Sequence, residues 1–265
     1  MLKRLLVGAA GLAVLTGSML MGLSSASASV SPTTVYTTNG EAGYYAFGAD
    51  AGFARVHSQV YIRKYAANLP ATGAMGAQAC NNNVNYAVQV GLVPNGTTPQ
   101  TFSVRYAQGA FTTTTTDPCV GNGTLGLGSP LSTTALQNIP LQDNIAFNIK
   151  DLPGHRVVVS AQDLTTNTTD WSQVLTVPVS YWTEVGVGLQ GSVTGLGGPA
   201  TNELAAMRNS YVVDNAGHFG NLGNSPYWTG VQVNSSATGN APALITPASS
   251  LNGSYFKIWS ATPVS

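Results

Sequence analysis

Phe53-Ala54-Arg55-Val56-His57-Ser58-Gln59-Val60-Tyr61-Ile62-Arg63 alternates apolar and polar side chains, with Val56, Val60 and Ile62 on one parity. A period of two marks a strand with one buried face and one wetter face. The pattern repeats outward from there. Val84 to Val93 and Thr101 to Tyr106 are strand candidates on either side of a Pro94-Asn95-Gly96 turn. Ile145 to Ile149 resumes the alternation, and Leu152-Pro153-Gly154-His155 turns the chain into valine-rich Arg156 to Ala161. A polar turn from Asp163 to Asp170 leads to Trp171 to Val177, and then to Tyr181 to Gln190. Tyr211 to Val213, Trp228 to Val233 and Tyr255 to Trp259 complete the strands. Asn202 to Arg208 reads as the one helical piece, with Asn202 near its cap. Short strands separated by turns, with almost no helix, predict an all-β, two-sheet antiparallel β-sandwich of the jelly-roll type. A barrel is the alternative. No internal repeat is visible.

The N-terminus reads as a secretory signal peptide over residues 1–28. Lys3 and Arg4 precede an apolar run from Leu5, and Ala26-Ser27-Ala28 supplies small residues for cleavage. The competing reading is a membrane anchor, since Leu5 to Leu23 is nearly long enough to span, but Thr16, Gly17 and Ser18 interrupt it. The expected organisation is a flexible segment at 29–41 followed by a single β-sandwich domain at 42–265, secreted and without a membrane after signal cleavage. Removing Lys3 and Arg4 from the ten Lys and Arg leaves eight, against ten Asp and Glu. So sparse a charge argues against nucleic acid or an anionic membrane as partner, because both need basic clusters. Cys80 and Cys119 are the two cysteines of the chain. In an exported protein they suggest one disulfide, worth roughly 3–4 kcal/mol in the chain-entropy model, with two free thiols as the alternative. Two cysteines and three scattered histidines give no metal-ligand spacing, and no cofactor is expected.

Within Tyr181 to Gln190 stands one acid, Glu184, and glutamate is otherwise found only at Glu41 and Glu203. A single carboxylate beside Trp182, Val185 and Val187 is either on the solvated face of a strand or a proton-handling group. Gln89, in Tyr86-Ala87-Val88-Gln89-Val90-Gly91-Leu92, has a similar strand setting. The two are expected to meet on one sheet face. Other chemistries find no support. Gly195-Leu196-Gly197-Gly198 lacks the lysine and helix of a phosphate loop, and no Gly-x-Ser-x-Gly elbow occurs. No strand carries acids at alternating positions, as paired carboxylates for glycoside hydrolysis would suggest. His57, His155 and His218 read as surface or hydrogen-bonding residues. Tyr and Trp, fifteen together, line a groove or stack on sugars in one reading and fill a sandwich core in the other; Tyr106 and Trp182 are the candidates for contact with substrate.

The order of these features resembles the glutamic peptidases, or eqolisins. Glu41-Ala42-Gly43-Tyr44 matches the Ala-Gly-Tyr of a segment near the family's N-terminus. Cys80 precedes Val88-Gln89-Val90-Gly91, where the family has a cysteine before an Ile-Leu-Gln-Thr-Gly strand with the catalytic glutamine. Gly154-His155 stands at a Gly-Asp turn, Asp163-Leu164-Thr165-Thr166-Asn167 at an Asn-x-Thr-Thr-Gly-like turn, and Trp182-Thr183-Glu184-Val185 at the strand with the catalytic glutamate. The likeness covers roughly residues 42–262 as an ordered series. The chain departs from it in three places, one being Cys119, which falls in a different loop from the family's usual second cysteine. Ala71 to Ala77 replaces a Trp-Val-Gly-Ile-Asp-Gly segment, and Val104-Arg105-Tyr106-Ala107 replaces a Trp-Tyr-Glu-Trp strand.

The resemblance implies a concanavalin A-like jelly roll and an acid endopeptidase acting on polypeptide. Glu184 would serve as general base and acid, and the Gln89 amide would donate to the oxyanion. The rival class is a non-catalytic jelly-roll module binding extracellular glycan or cell-wall material. A monomer is expected in either case.

Overall fold

The computed structural model describes residues 35–38, 41–62, 74–95, 101–110, 133–140, 142–167, 170–190, 202–223, 225–235, 244–246 and 254–260. The signal-peptide segment, Cys119, and Gly195 to Gly198 lie outside them. The strands in chain order are β1 (Val35–Thr38), β2 (Glu41–Phe47), β3 (Phe53–Ile62), β4 (Ala74–Asn81), β5 (Tyr86–Pro94), β6 (Thr101–Ala110), β7 (Thr133–Pro140) and β8 (Asn144–Leu152). They continue as β9 (Arg156–Asp163), β10 (Asp170–Thr176), β11 (Glu184–Gln190), β12 (Asn202–Asp214), β13 (Phe219–Gly220), β14 (Thr229–Ser235), β15 (Leu244–Thr246) and β16 (Phe256–Ser260).

One sheet runs β1-β14-β2-β11-β4-β5-β6-β7; the other runs β10-β9-β8-β3-β12-β16-β15, with β13 paired to β12. All pairs are antiparallel except β1 on β14. The expected two-sheet β-sandwich is the fold. Its core is the layer where the inward parities meet. Val56 and Val60 of β3 join Phe147 and Ile149 of β8 and Val157 and Val159 of β9, facing Tyr44, Val88, Val90, Val185 and Val187 of the first sheet. The Tyr44 ring lies 4.9 Å from Phe256, which ties the two layers together across the core. Each such side chain, once fully buried, contributes on the order of 1.5–3 kcal/mol.

Two turns follow their sequence chemistry. Gly154 and His155 both take positive φ, 81° and 56°, between β8 and β9. Asp163 closes the next turn by accepting from the Thr165 and Thr166 amides at 2.8 and 3.1 Å. The helical expectation for Asn202 to Arg208 is overturned. These residues open β12, which pairs with β3 on one side and β16 on the other. Ala205, Ala206 and Met207 are all buried. A run buried on both faces lacks the alternation of a half-wet strand, so alanine's helix propensity misled the reading. Register shifts between Glu203 and Ala205, between Arg208 and Tyr211, and between Val213 and Asp214 further break its period.

Candidate active site

Strand register decides which side chains share a face. On β5 and β4, Gln89 pairs with Gln78; on β4 and β11, Gln78 pairs with Gly186 and Cys80 with Glu184. Glu184 is two residues from Gly186, so Gln89, Gln78 and Glu184 project from the same side of the sheet. Their neighbours confirm it. Val88, Val90, Ala77, Ala79, Val185 and Val187 belong to the inter-sheet core, and the three polar residues, at alternate positions, turn the other way. The backbone thus sets the amide and the acid on one face, with β4 between their strands. Glu184 lies two strands and two residues from Gln89, about 12 Å between Cα atoms from standard strand dimensions, with the strand of Gln78 between them.

Gln78 is the residue the sequence reading missed. Its Oε1 accepts a 2.9 Å hydrogen bond from Gln89 Nε2, which fixes how the catalytic-candidate amide points. The missing signal is the alternation of Ala77, Gln78 and Ala79 in a small-residue stretch that carries no strong β-formers. Beyond Gln78 the same row across the sheet continues as Gly186, Tyr45 and Val231. The Tyr45 ring occupies the space over Gly186, where an added Cβ would come within 2.3 Å of it. One row further, Gly43, Gly188, Gly76 and Gly91 stand side by side on four strands. A Cβ on Gly76 would meet the Val90 carbonyl oxygen at 2.0 Å, so this row admits only glycine.

The approach to Glu184 is stapled on both sides. Trp182 bridges Phe53 through backbone bonds of 2.8 and 3.2 Å. The Thr183 amide donates to the Cys80 carbonyl at 2.9 Å, while Thr183 Oγ1 accepts from the Asn82 amide at 2.9 Å. Asn81 Nδ2 donates to the Tyr181 carbonyl at 2.9 Å. Glu184 is therefore placed by rigid strands and a capped hairpin rather than by a loop. The face is closed: Glu184 is 1% exposed, Gln89 5% and Gln78 7%.

Tyr106 and Trp182, expected at the substrate, lie on the other side of the sheet. Tyr106 is adjacent to Ala107, the partner of Gln89, so it points into the sandwich, where its ring lies 4.9 Å from Trp171 of the second sheet. The isolated bridge to Phe53 turns the chain between Trp182 and Glu184, and the Trp182 ring is buried in the core. Its Nε1 donates to Asp151 Oδ1 at 2.5 Å. Burial pushes the Asp151 carboxyl up to about 7, against the lowering effect of that hydrogen bond. Cys80 is buried opposite Glu184, and no cysteine is free among the described residues; Cys119 lies outside them. Among the described residues no group of three His, Cys, Asp or Glu is placed to hold a metal.

No family model and no curated protein sequence matches the chain. Solved structures do. Scytalido-glutamic peptidase bound to a peptide-based transition-state analogue aligns with a TM-score of 0.55 at 11% identity, over 84% of this chain and 98% of that one. SCP-B, a member of the eqolisin family in complex with the tripeptide Ala-Ile-His, aligns with a TM-score of 0.55 at 10% identity over the same shares. At such identity the likeness is one of fold: the two-sheet sandwich of this chain is that of the eqolisin peptidases.

Proposed function

We propose that this chain is an exported, glutamic-peptidase-like protein that hydrolyses peptide bonds with Glu184 and Gln89. One observation carries the reading: the acid and the amide, 95 positions apart in the sequence, rise from one face of one sheet with Gln78 between them. In this reading Glu184 takes a proton from water as the water oxygen attacks the peptide carbonyl carbon. The Gln89 amide donates to the oxygen on which negative charge develops. Collapse of the tetrahedral species breaks the carbon–nitrogen bond, and Glu184 returns the proton to the leaving amine. An amide –NH₂ carries two hydrogens. One is donated to Gln78, which orients the –NH₂ group in this reading. Gln78 is thus a positioning residue. The base contributes typically 10²–10⁴-fold, and one oxyanion donor on the order of 10²–10³-fold. Because the pair is buried, hydrolysis requires its face to open to a polypeptide. A Cys80–Cys119 bridge and signal-peptide cleavage belong to the same proposal.

The test is casein cleavage by the chain lacking residues 1–28, from pH 2 to 7, beside Glu184→Gln. Acid proteolysis lost in the variant supports the reading. Equal rates at every pH remove Glu184 from the reaction.

A second reading has its own support in the burial of Glu184 and Gln89, which sets them apart from an open cleft. On that reading the fold serves as a non-catalytic module for extracellular glycan, and no pH between 2 and 7 elicits proteolysis.

A further inference from the structure

At one end of the sandwich three connections meet: β2 to β3, β12 to β13, and the segment entering β14. Between them lies a cavity of about 370 Å³ lined by Gly48, Asp50, Ala51, Asp214, Ala216, His218, Pro226, Tyr227, Trp228 and Thr229. That volume lies in the range of small-molecule sites. The walls are fixed by hydrogen bonds. The Gly52 amide donates to the Ala49 carbonyl at 2.9 Å, Asn215 Nδ2 to the Ala51 carbonyl at 3.0 Å, and the Asn215 amide to the Gly52 carbonyl at 2.9 Å. The Asp214 amide donates to the His218 carbonyl at 3.1 Å, and Trp228 Nε1 donates to the Asn221 carbonyl at 3.0 Å.

The polar lining has a defined character. Asp214 is buried and accepts from the His218 amide through Oδ1, and its Oδ2 lies 2.8 Å from His218 Nδ1. Burial alone would raise its pKa; the side-chain and backbone hydrogen bonds of His218 outweigh that and hold the carboxyl below its usual range. Nδ1 of His218 therefore carries a hydrogen, and in the neutral ring Nε2 is an acceptor. His218 stacks flat on Tyr227, with centroids 3.6 Å apart and planes within 5°. Tyr227 is nonetheless 46% exposed, and Trp228, 6.3 Å away, continues the aromatic wall inward. Asp50 and Thr229 add an exposed carboxylate and an exposed hydroxyl. No Lys or Arg lines the cavity, and two acids do, so anions are repelled. Because the His218 contacts already compensate the Asp214 carboxylate, the interior calls for hydrogen-bond donors rather than for a cation.

We propose that this cavity binds a neutral polyhydroxylated ring, a sugar residue of an extracellular glycan. Its apolar face would lie on the Tyr227–Trp228 wall, with its hydroxyls reaching His218 Nε2, Asp50 and Thr229. A rigid aromatic surface rimmed by acceptors suits a ring with one apolar face and an equator of O–H donors. The site is separate from the Gln89–Glu184 pair and stands whether or not that pair is catalytic.

The experiment is saturation-transfer NMR and tryptophan fluorescence on the purified protein, titrated with methyl glycosides and N-acetylglucosamine oligomers at up to millimolar concentration. Nα-acetyl-lysine methylamide and inorganic phosphate are the counter-probes. Saturable glycoside binding is expected, weakened about tenfold or more in Tyr227→Ala and in His218→Ala and unchanged in Glu184→Gln. Tyr227 is a surface side chain, so its loss leaves the fold intact, and Tyr227→Phe should restore the stacking part of the affinity. The absence of binding by every glycoside overturns the proposal. So does preference for the lysine derivative or phosphate, or glycoside binding indifferent to both Tyr227 and His218.

Discussion

The two polar regions of this molecule are built by opposite means. The cluster of Gln89, Gln78 and Glu184 sits in the middle of a sheet, on strands paired on both sides, and is sealed to a few per cent exposure. The Asp214–His218–Tyr227 pocket sits where connections meet, half open, and is held by backbone hydrogen bonds between turns. Regular strands give the first region precise placement and deny it access. Turns give the second access, with pinned hydrogen bonds supplying its rigidity. A buried polar cluster has to be matched in every bond, so its members depend on one another. In the pocket Asp214 and Trp228 are buried, while Asp50, Tyr227 and Thr229 face water and tolerate change.

That contrast sets the scale of the expected effects. The largest belong to the floor of the sealed cluster. Gly76→Ala puts a Cβ 2.0 Å from the Val90 carbonyl oxygen and 2.5 Å from the Gly91 Cα, both backbone atoms of the paired strand. We expect a loss of several kcal/mol or failure to fold, read by thermal or urea melts. Gly48→Ala, beside the pocket, meets nothing within 4 Å and bears only the strain of φ 77°, so about 1 kcal/mol is expected. Equal losses in the two variants would dissolve the contrast.

Next comes Gln78→Leu. It removes the acceptor that orients the Gln89 amide, and any acid proteolysis should fall about tenfold or more in kcat with KM little changed. A KM effect alone would make Gln78 part of the binding surface instead.

Asp151 gives a smaller, pH-dependent effect. Its folded pKa, near 7, lies above the usual carboxylate value, so the fold prefers the protonated form. Its contribution to stability is greatest below about pH 4 and is lost as pH rises through 7. Asp151→Asn should flatten the melting-temperature profile between pH 4 and 7 while keeping an acceptor for Trp182 Nε1. An unchanged profile would show that Asp151 titrates normally.

The smallest effect is expected at Tyr106. Since its ring packs on Trp171 between the sheets, Tyr106→Phe should leave both proteolysis and glycoside binding as they are. A changed KM would return Tyr106 to the substrate.

Much of this was legible in the sequence. Half-wet strands announce themselves by alternation, and β3, β8 and β9 were read from it close to their observed limits. Turns with Pro-Gly or Asp-Thr chemistry were equally plain. What period two does not record is which of two buried faces a residue takes. Gln89 sits in a strand buried on both sides and Tyr106 in one only half-buried there, and one position's difference decides between core and site. β4 escaped notice because alanine and glycine, the residues its close backbone approach demands, are poor strand formers. β12 read as helix for the related reason that its alanines favour one. The pocket was invisible for a different reason: Asp50, Asp214, His218 and Tyr227 come from three separate connections, and only the closed sandwich assembles them.

The most direct test is a double-mutant cycle on Gln89 and Glu184, with acid proteolysis of casein as the readout. If the amide and the acid act on one water, Glu184→Gln and Gln89→Ala should each abolish most of the rate, and the double variant should be scarcely worse than the poorer single one. Strictly multiplicative losses, or full activity in either single variant, would contradict a shared role for the two residues.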